Sequence, residues 1–470
     1  MEKAKFAVVG LGVMGQNLAL NIANHGYPVA VYNRTEEKTR ELLEGPAKNK
    51  DIIGTYSYKD MVDTLEKPRQ ILLMVKAGPA VDAVIDDIKP FLDPGDILID
   101  GGNSYFKDTE RRNRTLTDEG FMFVGAGVSG GEEGALLGPS IMPGGNWEAW
   151  ETTKVIFTAA AAKAADGEPC VDYMGPRGAG HYVKMVHNGI EYAIMQMIGE
   201  VYDILFRGLG LSADAMGNLF SEWNRGELSS YLVEITADIF KTIDPETGKP
   251  ILDVILDEAQ QKGTGKWTSQ DAYDLGAPTH TINAAVTSRI ISGMKEQRVE
   301  ASQVFIGPQT NFSGDPQQLI IAVKEALIAS VIIAYAQGFG LMSVASEEYD
   351  YQLDMQRIAK IWRAGCIIRA DLLDDIMRAY DRNHELSNLL LDDTFREIVV
   401  RRQGAMRYVI TTAISLGIPV YALSSALGYF DAFRTARLPA NLTQAQRDYF
   451  GAHTYRRLDK EGTFHTEWQA

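Results

Sequence analysis

Along the first third of the chain, short apolar runs recur between segments of helical periodicity: FAVVG, PVAVYN, ILLMVK, DILIDGG and FMFVGAG, with SIMPGG after them. Apolar strands separated by helices predict parallel βαβ units, because a sheet covered on both faces carries no polar side. The pattern changes near residue 175, where GPRGAG supplies the glycines and proline of a turn in the chain. From 181 to about 435 nearly every segment reads as a long helix, and the remainder is polar and aromatic with little periodicity. The expected organisation is an α/β domain over 1–177, a large all-α domain over 178–435 and an extended C-terminal tail over 436–470.

The helical region carries an internal repeat. At an offset of 139 residues MGNLFSEWNRGEL aligns with MQRIAKIWRAGCI, pairing Met216 with Met355, Leu219 with Ile358, Trp223 with Trp362 and Gly226 with Gly365. The segment that opens the first copy, HYVKMVHNGIEY, places Lys184, His187, Asn188, Glu191 and Tyr192 at the i, i+3, i+4, i+7, i+8 spacing of one helix face. Such a stripe is ordinarily apolar and buried, and a polar one is ordinarily wet. The second copy has Ala326, Leu327, Ser330 and Val331 where the first has His187, Asn188, Glu191 and Tyr192. A duplication needs both helices for packing, so a polar face kept in one copy alone points to a site.

Composition narrows the classes. The 470 residues, 45% hydrophobic and 23% charged, suit a globular protein of two or three domains. A formal net charge of −16 argues against nucleic-acid or membrane partners, so an anionic substrate would have to meet locally gathered cations. Two cysteines, Cys170 and Cys366, do not make a disulfide framework, and the start MEKAKFAVVG has no apolar leader, which together suggest the cytoplasm. Leu319–Met342 is apolar enough to suggest a membrane span, but Lys324 and Glu325 interrupt it, and a buried core helix is expected instead. Seven histidines without HExxH or comparable spacing give no metal site.

AVVGLGVMGQN sets Gly10, Leu11, Gly12, Val13, Met14 and Gly15 as GxGxxG between a strand and a helix, the turn that brings backbone N–H groups to a pyrophosphate in a Rossmann-type domain. The second strand ends 18 residues after the last glycine on Asn33, Arg34 and Thr35, where NAD-binding folds carry a carboxylate. A neutral amide, a guanidinium and a hydroxyl suit a 2′-phosphate, so the expected cofactor is NADP. Val75, Lys76 and Ala77, and Asn103 in DGGNS, follow later strands and should lie at the carboxyl edge of the sheet, where ligands bind.

GLGVMGQN, YNRT, GAGVSGGEEGA, KMVHNGIEY, KGTGKW and QRDYFGAHTY, in this order and spacing, resemble the decarboxylating 6-phosphogluconate dehydrogenases of the pentose phosphate pathway from residue 4 to 470. GAGVSGG and the Lys-Asn helix are shared with the shorter β-hydroxyacid dehydrogenases, whereas KGTGKW, the Glu191-Tyr192 pair and the tail motif are specific. Gln260 departs from the family, which carries a small residue there. The resemblance implies Lys184 as general base and Glu191 as general acid. It implies substrate contacts from Asn103, Ser129, Gly130, Gly131, His187, Asn188, Tyr192, Lys262 and Arg289, and from Arg447 and His453 of a tail that completes the active site of the other subunit in a homodimer. A dehydrogenase acting on a smaller acid would have no use for the second repeat or the tail. A catalytically silent NADP-binding regulator would not need Lys184 and Glu191 on one face.

Overall fold

The computed structural model describes residues 3–308 and 311–468. Seven strands form one sheet: β1 (Phe6–Val9), β2 (Val29–Tyr32), β3 (Ile52–Thr55), β4 (Gln70–Leu73), β5 (Ile97–Asp100), β6 (Met122–Ser129) and β7 (Ser140–Gly145). Their order is β3-β2-β1-β4-β5-β6-β7. Helices α1 (Val13–Asn24), α2 (Glu36–Glu44), α3 (Tyr58–Thr64), α4 (Pro79–Ile88), α5 (Phe106–Asp118), α6 (Gly131–Leu137) and α7 (Trp147–Ala160) connect and cover them. Because both faces are covered, β1 and β5 are buried at every residue.

Two features differ from the sequence expectation. β3 was not expected: IIGT is four residues with a glycine inside, too short a run to stand out, and it forms the sheet edge beside β2. SIMPGG is a strand but not a parallel one, since β7 pairs antiparallel with β6 from Val124↔Gly145 to Ser129↔Ser140. The seven-residue α6 is too short a crossover to return the chain to the start of a parallel neighbour, so it comes back alongside β6 instead.

The helical region comprises α8 (Ala179–Asp203), α9 (Ala213–Trp223), α10 (Tyr231–Lys241), α11 (Thr264–Leu275), α12 (His280–Ser292), α13 (Lys295–Val304), α14 (Pro316–Glu348), α15 (Met355–Ile361), α16 (Leu372–Arg382), α17 (Asp393–Ser415) and α18 (Tyr421–Phe433). The repeat is visible in three dimensions: α8, α9, α10 and α12 have counterparts in α14, α15, α16 and α18 roughly 140 residues on. Trp223 and Trp362 are both fully buried, and Ser230 bridges Ala370 between the copies. α14 is long and apolar enough to cross a membrane, yet 72% of its most apolar window is buried, against α8 and α17 among others, as a core helix.

The tail is more regular than its composition suggests. It forms α19 (Ala440–Gly451) and a return segment in which Tyr455 and Phe464 exchange backbone hydrogen bonds. Among the described residues its hydrogen bonds run within the tail itself. A helix whose apolar residues Leu442, Tyr449 and Phe450 stay exposed has no core face of its own chain to set its period against.

α8 docks on the sheet through close backbone contact. A Cβ on Gly180 would lie 2.3 Å from the Gly125 carbonyl oxygen and 2.4 Å from that of Met142, and one on Gly127 would lie 2.3 Å from Cβ of Lys184. Beside these, His181 Nδ1 is 2.7 Å from Thr109 Oγ1, and the buried Asp271 of α11 accepts hydrogen bonds from Tyr182 (2.7 Å) and Tyr349 (2.8 Å). Gly180→Ala is therefore expected to destabilise by about 1–3 kcal/mol through overpacking. Gly199→Ala, on the same helix where a Cβ meets nothing within 4 Å, should be neutral or stabilising, and melting temperatures of the two variants check the contrast.

Candidate functional site

Two adjoining regions hold most of the expected residues. The first is an open cleft at the carboxyl edge of the sheet, lined by Gly10, Gly12, Asn33, Arg34, Thr35, Val75 and Lys76. Gly10 has φ +97°, and a Cβ there would lie 2.5 Å from the Met74 carbonyl oxygen. A Cβ on Gly15 would fall 1.9 Å from the Gly10 oxygen, whereas at Gly12 it would meet nothing within 4 Å. Two glycines are thus forced by packing, and the third leaves the front of the turn clear for a ligand. Val13 and Met14 open α1, whose N-terminus has no side-chain cap among the described residues and so suits an anion.

Asn33 ties the turn to the second strand, its Oδ1 accepting from Leu11 N (2.9 Å) and its Nδ2 donating to Thr35 O (3.0 Å). Arg34 and Thr35 stand exposed on the rim. The cleft also contains Lys38, on the first turn of α2, and the Tyr32 and Tyr58 rings, with centroids 4.4 Å apart. Sequence reasoning missed Lys38, although a third cation four residues past Arg34 was there to be seen. The cleft fits NADP: glycine turn and helix N-terminus for the pyrophosphate, Arg34, Thr35 and Lys38 for the 2′-phosphate. Ala77 lies just beyond this cleft, and Asn103 is exposed on the turn after β5.

The second region is the polar stripe of α8, which is buried except for a half-buried Glu191. Lys184 is 5% exposed, His187 0%, Asn188 8% and Tyr192 5%. Asn188 Oδ1 accepts from Lys184 Nζ at 2.8 Å and from His187 Nδ1 at 3.0 Å. An amide oxygen can only accept, so the imidazole proton sits on Nδ1 and leaves Nε2 to accept from Ser129 Oγ, 3.3 Å away. Asn188 Nδ2 in turn donates to Thr264 Oγ1 at 3.1 Å. Thr264, at the start of α11 within KGTGKW, is a second residue that motif reading passed over. Ser129 ends β6, and Gly130 (φ +129°) and Gly131 (φ +63°) turn the chain sharply into α6, beneath the Gly365 carbonyl of the second copy.

Burial sets the protonation of this group. It pushes the Lys184 amine below its usual range, against the pull of the Glu191 carboxylate, and the His187 imidazole well below its own, with Lys184 adding to that depression. It pushes the Glu191 carboxyl up, opposed by Lys184 and Arg289. A base and an acid whose affinities for protons are driven toward one another stand on one helix, which is the arrangement acid–base chemistry needs near neutral pH.

At the far end of the stripe the Arg289 guanidinium lies 3.3 Å from the Tyr192 ring centroid and donates to the Gln260 carbonyl (3.2 Å). Gln260 is exposed, so its departure from the family's small residue disturbs no packing. A Cβ on Gly265 would lie 2.5 Å from the Tyr192 ring, so the loop carrying the exposed Lys262 is pressed against this end of α8. Arg447 and His453 are not brought to it: both are exposed on the tail, and Arg447 bonds only Gln444 among the described residues.

Residues 5–175 match the NAD binding domain of 6-phosphogluconate dehydrogenase, and residues 180–468 match its C-terminal domain. The chain is 60% identical, over the full length of both proteins, to the NADP-dependent decarboxylating 6-phosphogluconate dehydrogenase of Bacillus subtilis, and 57% identical over the same extent to the decarboxylating 6-phosphogluconate dehydrogenase of Escherichia coli K12. Its fold superposes on the 6-phosphogluconate dehydrogenase of Plasmodium falciparum with a TM-score of 0.95 at 42% identity, covering 99% of this chain and 100% of that one. With its glycine cradle, its dry lysine helix and a likeness that spans every described element, the chain belongs to the 6-phosphogluconate dehydrogenase family.

Proposed function

We propose that this chain converts 6-phosphogluconate to ribulose 5-phosphate and carbon dioxide while reducing NADP. The observation that carries the reading is the buried Lys184 amine, whose affinity for a proton is lowered by burial and which is held by a neutral amide. NADP, when bound, supplies the acceptor for the hydride that leaves carbon 3. Lys184 takes the proton of the carbon-3 hydroxyl as that carbon becomes a ketone. The lysine, now an ammonium, donates to the new carbonyl oxygen and draws electron density toward it. The bond from carbon 2 to the carboxylate then breaks, releasing carbon dioxide and leaving an enediol. Glu191, whose carboxyl is pushed up by burial, gives a proton to the former carbon 2 while the proton on the carbon-3 oxygen returns to Lys184, and the ketone re-forms.

The remaining residues orient the substrate. Ser129, Gly130 and Gly131 lie beside His187 and Asn188, and together with Asn103 they suit the carboxylate and hydroxyls; Tyr192, Lys262 and Arg289 suit the phosphate. We further propose a homodimer in which Arg447 and His453 enter the other subunit's site. The tail bonds within itself and leaves Leu442, Phe450 and Leu458 exposed, which supports a surface made for another chain. The buried, unpaired Cys170 and Cys366 are in keeping with a reducing cytoplasm.

The direct test is to add 6-phosphogluconate and NADP and follow the near-ultraviolet absorbance of reduced nicotinamide; no turnover with this pair overturns the reading. Because the base must be neutral, kcat/KM should fall tenfold per pH unit on the acid side, with its apparent pKa below the lysine range. Lys184→Arg should lower kcat by roughly a thousandfold. Arg34→Ala should cost NADP affinity and leave NAD nearly untouched, and equal losses for both cofactors would remove Arg34 from 2′-phosphate recognition. Co-expressed Lys184→Ala and His453→Ala chains, each nearly inactive alone, should recover roughly a quarter of full activity in a shared-site dimer. No recovery in tag-verified hybrids would place the tail in its own chain's site.

A further inference from the structure

The tail has a single organising group. Asp448 is fully buried although its neighbours Arg447, Tyr449 and Phe450 are exposed. Its Oδ1 accepts from Thr454 N (2.9 Å) and His465 Nδ1 (2.9 Å), and its Oδ2 accepts from Thr466 N (3.1 Å) and Trp468 Nε1 (2.9 Å). Four donors fill the acceptor capacity of one carboxylate. They arrive from two directions: the turn that follows α19, the helix that carries Asp448, and the returning end of the chain.

The geometry around His453 depends on this group. Ala452 and Thr454, on either side of it, are both left-handed (φ +47° and +58°), a conformation that residues with side chains rarely keep without outside support. Thr454 is held there at both backbone polar groups, its N–H by Asp448 and its carbonyl by Gln444 Nε2 (2.5 Å). Arg447 precedes Asp448 directly. One buried carboxylate therefore fixes the spacing between the guanidinium and the imidazole that the tail would deliver.

We infer that Asp448 is a positioning residue for substrate binding: it folds the tail into a preformed module that presents Arg447 and His453 together, before and after docking on the other subunit. The inference rests on the reading that the tail completes that subunit's site. Asp448→Asn keeps the size and one acceptor oxygen but turns an N–H₂ toward N–H donors. It should raise KM for 6-phosphogluconate roughly tenfold, leave KM for NADP within about twofold and leave the dimer mass unchanged. Trp468→Phe, which removes one donor and keeps an aromatic ring beside Tyr449, should raise the same constant by a smaller factor.

Arg447→Ala separates a role for Asp448 from a role for the tail as a whole. If Arg447→Ala raises KM for 6-phosphogluconate and Asp448→Asn does not, the positioning role is refuted and the tail reading stands. If neither variant moves it, the tail does not serve the substrate site and both fall. Dissociation of the Asp448→Asn dimer, or equal rises in KM for both ligands, would mark Asp448 as a residue of assembly alone and overturn the inference.

Discussion

Keeping one primary amine dry is the demand around which this molecule is arranged. Lys184 lies where α8 meets β6, and water is kept out because the helix approaches the strand at backbone distance, which the bare Gly127 and Gly180 permit. The hydrogen-bond acceptor offered to the amine matters as much as its burial. A carboxylate in the place of Asn188 would restore the affinity for a proton that burial removes, whereas an amide oxygen satisfies the donor without adding charge. Thr264 and His187 then fix that amide, so the start of α11 and the end of β6 are both tied to the ionisation of a single side chain.

The duplication explains how so buried a polar group is tolerated. α14 repeats α8 as an apolar helix, with Ala326, Leu327 and Ser330 all buried at the equivalent positions, and packs beside it as a rigid partner. The second copy also lends the site a rim: Ile367 N reaches Ser129 Oγ at 3.4 Å, and the Gly365 carbonyl closes over Gly130. One copy carries the polar stripe while the other is given over to packing. The core of the helical region runs through both, which lets the first spend a whole helix face on polar side chains.

Much of this was legible in the amino-acid order because the relevant signals are local. Strand runs, the glycine turn and the polar stripe each occupy a dozen residues or fewer, and comparing the two copies separated the stripe from an ordinary wet surface. What escaped was set by contacts distant in sequence. The reversal of β7 follows from the brevity of α6, Thr264 matters through a residue 76 positions away, and Lys38 through the shape of a cleft. The helix in the tail escaped for a different reason: periodicity reveals a helix only when one of its faces is buried by the chain being read.

Arg289, laid flat on Tyr192 and tethered to the Gln260 carbonyl, has a consequence for the speed of ligand capture. A free arginine searches many rotamers and gives up about 2 kcal/mol of rotational entropy when it is pinned. Here much of that search is over before any anion arrives, and one face of the guanidinium has already shed its water. Under the function proposed above, its meeting with the substrate phosphate is governed by diffusion and charge attraction rather than by rearrangement.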